Sequence, residues 1–430
     1  MLPLGPNSPL RLNGHASPPA SKSLAARIAP LVVPLVVALF LALRRPTPSP
    51  SPSTLHGAPL RPVSGCADPL LTTLEPRERA AILVLVRHSD LAHLVPTLLN
   101  FEHQFNSRFR YPYVLLSSPD EGPLPTPFRA AVARALPDGA ETRWGVVPEA
   151  HWRIPPHLDP ESVRRGFREQ EARGVQYAGR EGYHHMVRWY AGLWARHELL
   201  EPYDWFWRLE PGVTFFCSIT YDPFRFLSQH GKVYGFVITV VENLNTVPSL
   251  FGAVKRHLAE RGIQPRGPLW RFLTRRDEHT GEETFGGCHF WTNMEEQIGD
   301  LRFFRSEAYQ EFFRALDAEG GFYTERWGDA PVRALALGAL ASLKDIHYFE
   351  DLGYQHDWFF HCPARSTRAT GVRGRGRGGE DGVVGCGCEC PREGDRQGRS
   401  EGQETVDMDT DWRFSCLEQW TAAVRDSQPT

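Results

Sequence analysis

AAILVLVR, residues 80–87, and YPYVLLSS, residues 111–118, are the stretches whose reading decides the fold. Each is a short apolar run, and the first ends in a charge, the pattern of a strand covered on both faces of a sheet. Between them Ser89 or Asp90 can cap a helix whose apolar positions Leu91, Leu94, Val95, Leu98 and Phe105 follow one face. Pro96 fits that helix only in the first turn or at a kink, because proline lacks the N–H an interior position needs. Strand, helix and strand at this spacing make a βαβ unit, which implies an α/β fold with parallel strands. Ligands in such sheets bind beyond the carboxyl ends of the strands. Arg87 is therefore placed to meet an anion, although a surface arginine would leave the same trace.

Downstream the alternation continues less regularly. DWFWRLEPGV (204–213) and KVYGFVITVVE (232–242) read as strands, the first ending at Glu210-Pro211 and the second at Glu242. SEAYQEFFRALDAEGG (306–321) reads as a helix capped by Ser306 and stopped by two glycines. Asp329 and Pro331 open a further apolar helix, VRALALGALASL. No internal repeat is visible.

Upstream, IAPLVVPLVVALFLAL (28–43) is almost wholly apolar, with Arg27 before it and Arg44-Arg45 after it. At about 1.5 Å per residue it is short for a typical bilayer and sufficient for a thin one. The tail before it is long and no small-x-small cleavage site follows, so it reads as an uncleaved signal anchor rather than a signal peptide. Nearly balanced flanking charges do not fix its orientation. PTPSPSPSTLHGAPLRP (46–62) has Pro and Ser in place of core-forming residues and reads as an extended stem. The expected order is a tail at 1–27, an anchor at 28–43, a stem at 44–75 and a large body from 76 to 430.

A net charge of −3 gives no reason to expect nucleic acid as a partner. Twelve Trp, 12 Tyr and 25 Phe suit either a sugar-handling surface or an aromatic core. The eight cysteines, at positions 66, 217, 288, 362, 386, 388, 390 and 416, show no CxxC spacing for zinc. They fit disulfides in an oxidising compartment and buried thiols in a reducing one.

Candidate chemistry lies at the strand ends. A carboxylate there can hold a hard divalent cation that neutralises a leaving diphosphate. Glu210 has that position, and also has Arg208 beside it for a plain salt bridge. His356, in DLGYQHD, is a candidate second ligand or a structural histidine. Asp329 is explained as a helix-capping acid. Glu295-Glu296, in WTNMEEQIGD, can supply a nucleophile or base, or begin a solvated helix. One at a time, each of these residues has a structural explanation.

Together the blocks are more specific. VRHSDLAHLVPTLLNFEHQFNSRFRYPYVLLS, YHHMVRWYAGLWARHELLEPYDWFWRLEPGVTFFC, YDPFRFLSQHGKVYGFVITVVEN and IHYFEDLGYQHDWFFHCP occur in that order. The long segment from CHFWTNMEEQIGD to RWGDAPVRALALGAL falls between the last two. This series resembles glycosyltransferase family 15, the fungal α-1,2-mannosyltransferases, from about Ala80 to Trp420. The resemblance implies a GT-A-like mixed α/β domain in the Golgi lumen, tethered to the membrane through residues 28–43 as a type II protein. It implies GDP-mannose as donor, Mn2+ as cofactor, and retaining transfer to an α-mannoside or mannosylated glycoprotein, with no nucleic acid involved. By motif match, Glu210 and His356 take the places of the metal ligands. Glu295, with Glu296 competing, takes that of the nucleophile. Arg87, Tyr183, Arg208, Glu242 and Asp329 fall on positions lining the donor and acceptor site. Among the cysteines, Cys217 with Cys288 and Cys362 with Cys416 are candidate pairs.

Three departures stand out. The family's EPD is EPG here, so Gly212 removes a carboxylate near the presumed metal. NMEEQIGD is two residues longer than the family's version. Residues 367–404 interrupt the stretch between Cys362-Pro363 and SCLEQW with Gly- and Arg-rich sequence that cannot form a core. That insert reads as a disordered surface loop and is compatible with a translated intron. The first two departures also keep open a catalytically silent relative that binds mannans or assembles Golgi enzymes. A third reading is a transferase of the same fold with another donor sugar.

Overall fold

The computed structural model describes residues 66–68, 72–290, 297–363, 384–390 and 405–427. The expected tail, the apolar run at 28–43, most of the stem, and Glu295 and Glu296 lie outside them. Among the described residues no helix is long and apolar enough to cross a membrane.

Seven strands form one sheet: β1 (Ala80–Leu85), β2 (Tyr113–Ser117), β3 (Thr142–Val146), β4 (Trp205–Arg208), β5 (Tyr234–Phe236), β6 (Ile298–Asp300) and β7 (Ile346–Tyr348). Their order is β7-β5-β6-β4-β1-β2-β3. The parallel block β4-β1-β2-β3 is as the βαβ reading expects, and antiparallel β6 between β4 and β5 makes the sheet mixed. Strand periodicity sends Ala81 and Leu83 into one core and Ala80, Ile82 and Val84 into the other, so β1 is apolar throughout.

Helix α1 (Leu91–Phe101) covers one face with Leu94, Leu98 and Phe101 and continues as a π turn that buries Phe105. Pro96 falls in its second turn rather than its first, on the exposed side. KVYGFVITVVE is two strands rather than one. After β5 the chain leaves the sheet, and Thr239–Val241 pairs antiparallel with Cys288–Phe290. An unbroken apolar run does not record a change of partner strand. A second sheet holds the hairpin Tyr354–His356 and Phe359–His361 between Thr214–Phe215 and Val406–Asp407.

The cysteines correct two expectations. The bonds are Cys66–Cys386, Cys217–Cys388, Cys288–Cys416 and Cys362–Cys390, so neither candidate pairing holds and no cysteine is free. Spacing along the chain carries no information on which loops meet in space. Three of the bonds use the CGCEC stretch, so residues 384–390 of the insert expected as a disordered loop are a loop held in place by disulfides. These residues are fixed to three separate parts of the body, with Cys386 and Cys388 buried. Folded structure also begins earlier than residue 76: Cys66 is bonded to Cys386, the Ala67 N–H donates to Thr220 Oγ1 at 2.9 Å, and Thr72 Oγ1 donates to the Thr220 carbonyl at 3.0 Å.

Candidate active site

β1 lies between β4 and β2, and the chain leaves β1 toward β2 on one side and β4 toward β5 on the other, which leaves a crevice at the carboxyl ends of the two strands. A cavity of about 760 Å³ occupies that place, the size of a small-molecule site. Arg87, Ser118 and Glu210 enter it from beyond the ends of β1, β2 and β4. Arg180 and Tyr183 come from the start of helix α2 (Glu181–Arg188), and His356 and Trp358 from the hairpin of the second sheet. Four of the sequence candidates, Arg87, Tyr183, Glu210 and His356, therefore share one wall system.

Glu210 owes its position to the end of β4. Pro211 cannot continue the ladder. Gly212 turns at φ +107°, a conformation that glycine takes without strain, and donates its N–H to Thr97 Oγ1 at 2.8 Å. Gly212 is not among the cavity-lining residues, whereas Pro211 is. Two residues back, Arg208 points to the opposite side from Trp207, into the core. There it bonds Glu210 Oε1 and reaches Asp329 Oδ2 at 3.0 Å, with its guanidinium 3.6 Å from the centre of the Tyr190 ring. Helix α3 (Glu307–Glu319) is capped by Ser306 as expected, and helix α4 (Asp329–Leu340) supplies Asp329 and, one turn on, Arg333 at 3.4 Å from the same carboxylate oxygen. Burial pushes the Arg208 pKa down, but Glu210, Tyr190 and Asp329 outweigh it and hold it well above the usual range. Arg208 and Asp329 are both about 1% exposed, so they stand behind the cavity wall and act on it through Glu210.

Tyr183 packs against Tyr177, ring centres 4.8 Å apart, and accepts a hydrogen bond of 3.4 Å from Arg326 Nη1. Burial pushes its hydroxyl up to about 12, so it is protonated and able to donate. Glu242 lies outside the cavity lining. It pairs with His289 Nε2 at 3.4 Å and accepts from the Asn243 N–H at 2.9 Å. Burial opposes its ionisation, yet His289 and Arg326 prevail and leave its pKa below the usual carboxylate range. Arg87 is held by Asp90, Nη2 to Oδ1 at 2.9 Å, which raises its pKa further and keeps the cation at the mouth of the crevice. Glu295 and Glu296 lie outside the described residues. The strand that leads toward them, Cys288–Phe290, carries His289.

Sequence reasoning missed several lining residues, chiefly Arg180, Arg326, Trp152 and Tyr177. Only Tyr177 left a local signal, its place among glycines in RGVQYAGREG, where its φ of +64° is a left-handed turn. Arg87, Arg180 and Arg326 are cations suited to phosphate oxygens. Among the described residues, no three His, Cys, Asp or Glu side chains gather as a closed metal cage. Glu210 and His356 on one cavity instead fit a hard or borderline cation that completes its shell with phosphate and water.

Solved structures share this architecture. The chain aligns with core-mannan synthase A (CmsA/Ktr4) of Aspergillus fumigatus, in its Mn/GDP form, at TM-score 0.68 and 29% identity, covering 86% of this chain and 92% of the other. It aligns with the mannosyltransferase Ktr4p of Saccharomyces cerevisiae, in complex with GDP, at TM-score 0.68 and 30% identity, covering 87% of each. Fold and cleft together define a glycosyltransferase. The O-glycoside alpha-1,2-mannosyltransferase homolog 4 of Schizosaccharomyces pombe is 33% identical over 380 residues, 78% of this chain and 80% of the relative. Residues 60–373 match the model of the glycolipid 2-alpha-mannosyltransferase family, and the chain belongs to that family.

Proposed function

We propose that the chain is a retaining α-1,2-mannosyltransferase, moving mannose from GDP-mannose to an α-mannoside in protein glycosylation or cell-wall mannan synthesis. The observation that carries this reading is the crevice itself. Glu210 and His356 face one cavity with Arg87, Arg180 and Arg326, in a family whose solved relatives hold GDP and Mn. Mn2+, when bound by Glu210 and His356, supplies the positive charge that a departing diphosphate needs. The chain's own part is to orient Glu210 through Arg208, to offer guanidinium groups to the phosphates, and to present the protonated Tyr183 hydroxyl to a sugar or phosphate oxygen. The domain is then of the GT-A type. Glu295, with Glu296 as competitor, takes the nucleophile's role if retention runs through a covalent glycosyl–enzyme; front-face attack within an ion pair is the other route.

The silent-relative reading rests on Gly212 and on the lengthened NMEEQIGD segment, which lies partly outside the described residues. Against it, Glu210 and His356 both remain on the cavity wall, so the site keeps its two candidate metal ligands although the carboxylate at 212 is missing. The same proposal places the body in the Golgi lumen behind an anchor at 28–43. All eight cysteines are paired, as an oxidising compartment favours.

The test is direct. The full chain, supplied with GDP-mannose, Mn2+ and methyl α-mannoside, yields an α-1,2-linked disaccharide. Absence of product with every divalent cation, while GDP still binds, would overturn the enzyme reading.

A further inference from the structure

Seven large apolar side chains stand exposed among the described residues, and most of them are not scattered. Four of them, Val241, Leu244, Phe414 and Trp412, come from two segments that touch, since the Val241 N–H donates to the Phe414 carbonyl at 2.8 Å. A fifth, Tyr177, lines the cavity. Trp412 is 85% exposed, an unusual state for the largest apolar side chain. The patch connects to the cavity. Phe414 packs on Phe359 with ring centres 5.5 Å apart, Phe359 packs on Trp358 at the same spacing, and both Phe359 and Trp358 line the cavity. An aromatic track thus runs from the crevice over Trp358 and Phe359 to Phe414, two residues along the chain from the exposed Trp412.

We propose that this track is a subsite for the outer sugar units of the acceptor, and that it sets a preference for oligosaccharide over single-sugar acceptors. The inference rests on the mannosyl-transfer reading above. A nucleotide sugar and one acceptor unit use up a cavity of about 760 Å³, so any further acceptor units lie outside its mouth. Exposed rings that continue from a sugar site offer flat apolar faces to the C–H faces of a saccharide, with polar groups at the edge for its hydroxyls. Those polar groups are present in the same turn: Arg413 pairs with Asp411, and its guanidinium lies 5.4 Å from the centre of the Phe414 ring. A membrane surface fits less well. Asp407, Asp409 and Asp411 crowd this turn and would repel anionic lipid headgroups.

The experiment compares methyl α-mannoside with a linear α-mannotetraose as acceptor, using the full chain and its Trp412→Ala variant. Because Trp412 is almost wholly exposed, its removal leaves packing intact. The ratio of kcat/KM for the tetrasaccharide over the methyl glycoside should fall about five- to tenfold, carried by KM, as for loss of a moderate aromatic anchor. Leu74→Ala, another exposed apolar position, serves as control and should leave the ratio unchanged. A ratio within twofold of the parent's in Trp412→Ala overturns the subsite. Failure of the parent chain to transfer mannose at all overturns the enzyme reading instead. Calorimetry with the tetrasaccharide then decides the track by itself: weaker binding in Trp412→Ala than in the parent supports it, and equal binding in the two, or no binding to the parent, overturns it. Loss of binding to anionic vesicles, with the acceptor ratio unchanged, would assign the patch to lipid and likewise overturn it.

Discussion

Asp329→Asn tests the buried charge cluster behind the active site. Arg208 and Arg333 face Glu210 and Asp329, two cations against two anions, and the substitution leaves one uncompensated positive charge at almost constant volume. With Asp329 3.0 Å from Arg208 and 3.4 Å from Arg333, each contact is worth about 5 kcal/mol at an effective dielectric of about 20. The asparagine no longer carries a carboxylate's desolvation cost, several kcal/mol, so the net loss is about 3–5 kcal/mol. For a body of this size that lowers Tm by roughly 4–8 °C in a thermal unfolding scan. Adding Arg333→Met restores neutrality and should recover about half of the loss. Function gives a second readout. With Asp329 gone, Arg208 has one fewer acid to share and is drawn onto Glu210, so more Mn2+ is needed for half-maximal activity. A Tm within about 1 °C of the parent, or a double variant that falls by the sum of its single losses, would refute the reasoning.

Three further outcomes follow from the same structure. Glu210→Ala should lower Mn2+-dependent mannosyl transfer by at least about a hundredfold, and an unchanged rate would show that the metal is held elsewhere. Asp351 is buried, and burial raises its carboxyl to about 6, so it stabilises the fold below pH 4 and that stability is lost as pH rises through about 6. Asp351→Asn should therefore gain on the parent by up to about 3 kcal/mol between pH 4 and 7, and a difference in Tm that stays flat with pH would rule the idea out. Cys388→Ser removes the bond that ties Cys217 to the CGCEC stretch and should cost about 2–5 kcal/mol, read as a lower Tm. If Tm is unchanged, that bond contributes little to the body.

The parts of the fold legible in the sequence were those written locally. β1, α1 and β2 declared themselves because a strand buried on both faces is apolar throughout, and Ser306 and Gly320 bound their helix by ordinary capping chemistry. What was hidden is carried by long-range pairing. Arg208 and Asp329 meet across 121 positions, and nothing near either residue names the other. Read alone, Glu210 suggested a salt bridge to Arg208, and that bridge is present; its position on the cavity wall is the additional fact that only the fold supplies. The Gly- and Arg-rich stretch misled for a compositional reason. Glycine between cysteines looks like a segment unable to build a core, yet cysteines held by partners elsewhere need no core of their own.

The disulfide pattern also dictates when the protein can be finished. Each bond joins one of Cys66, Cys217, Cys288 and Cys362 to one of Cys386, Cys388, Cys390 and Cys416, so every native bond needs a residue from the last part of the chain. At about 5–20 residues per second, Cys66 waits many seconds on the ribosome before its partner exists. Any bond made earlier among the first four is wrong and must be exchanged. Maturation is therefore an editing problem for thiol–disulfide exchange, and a chain cut short before Cys386 has no native bond to make.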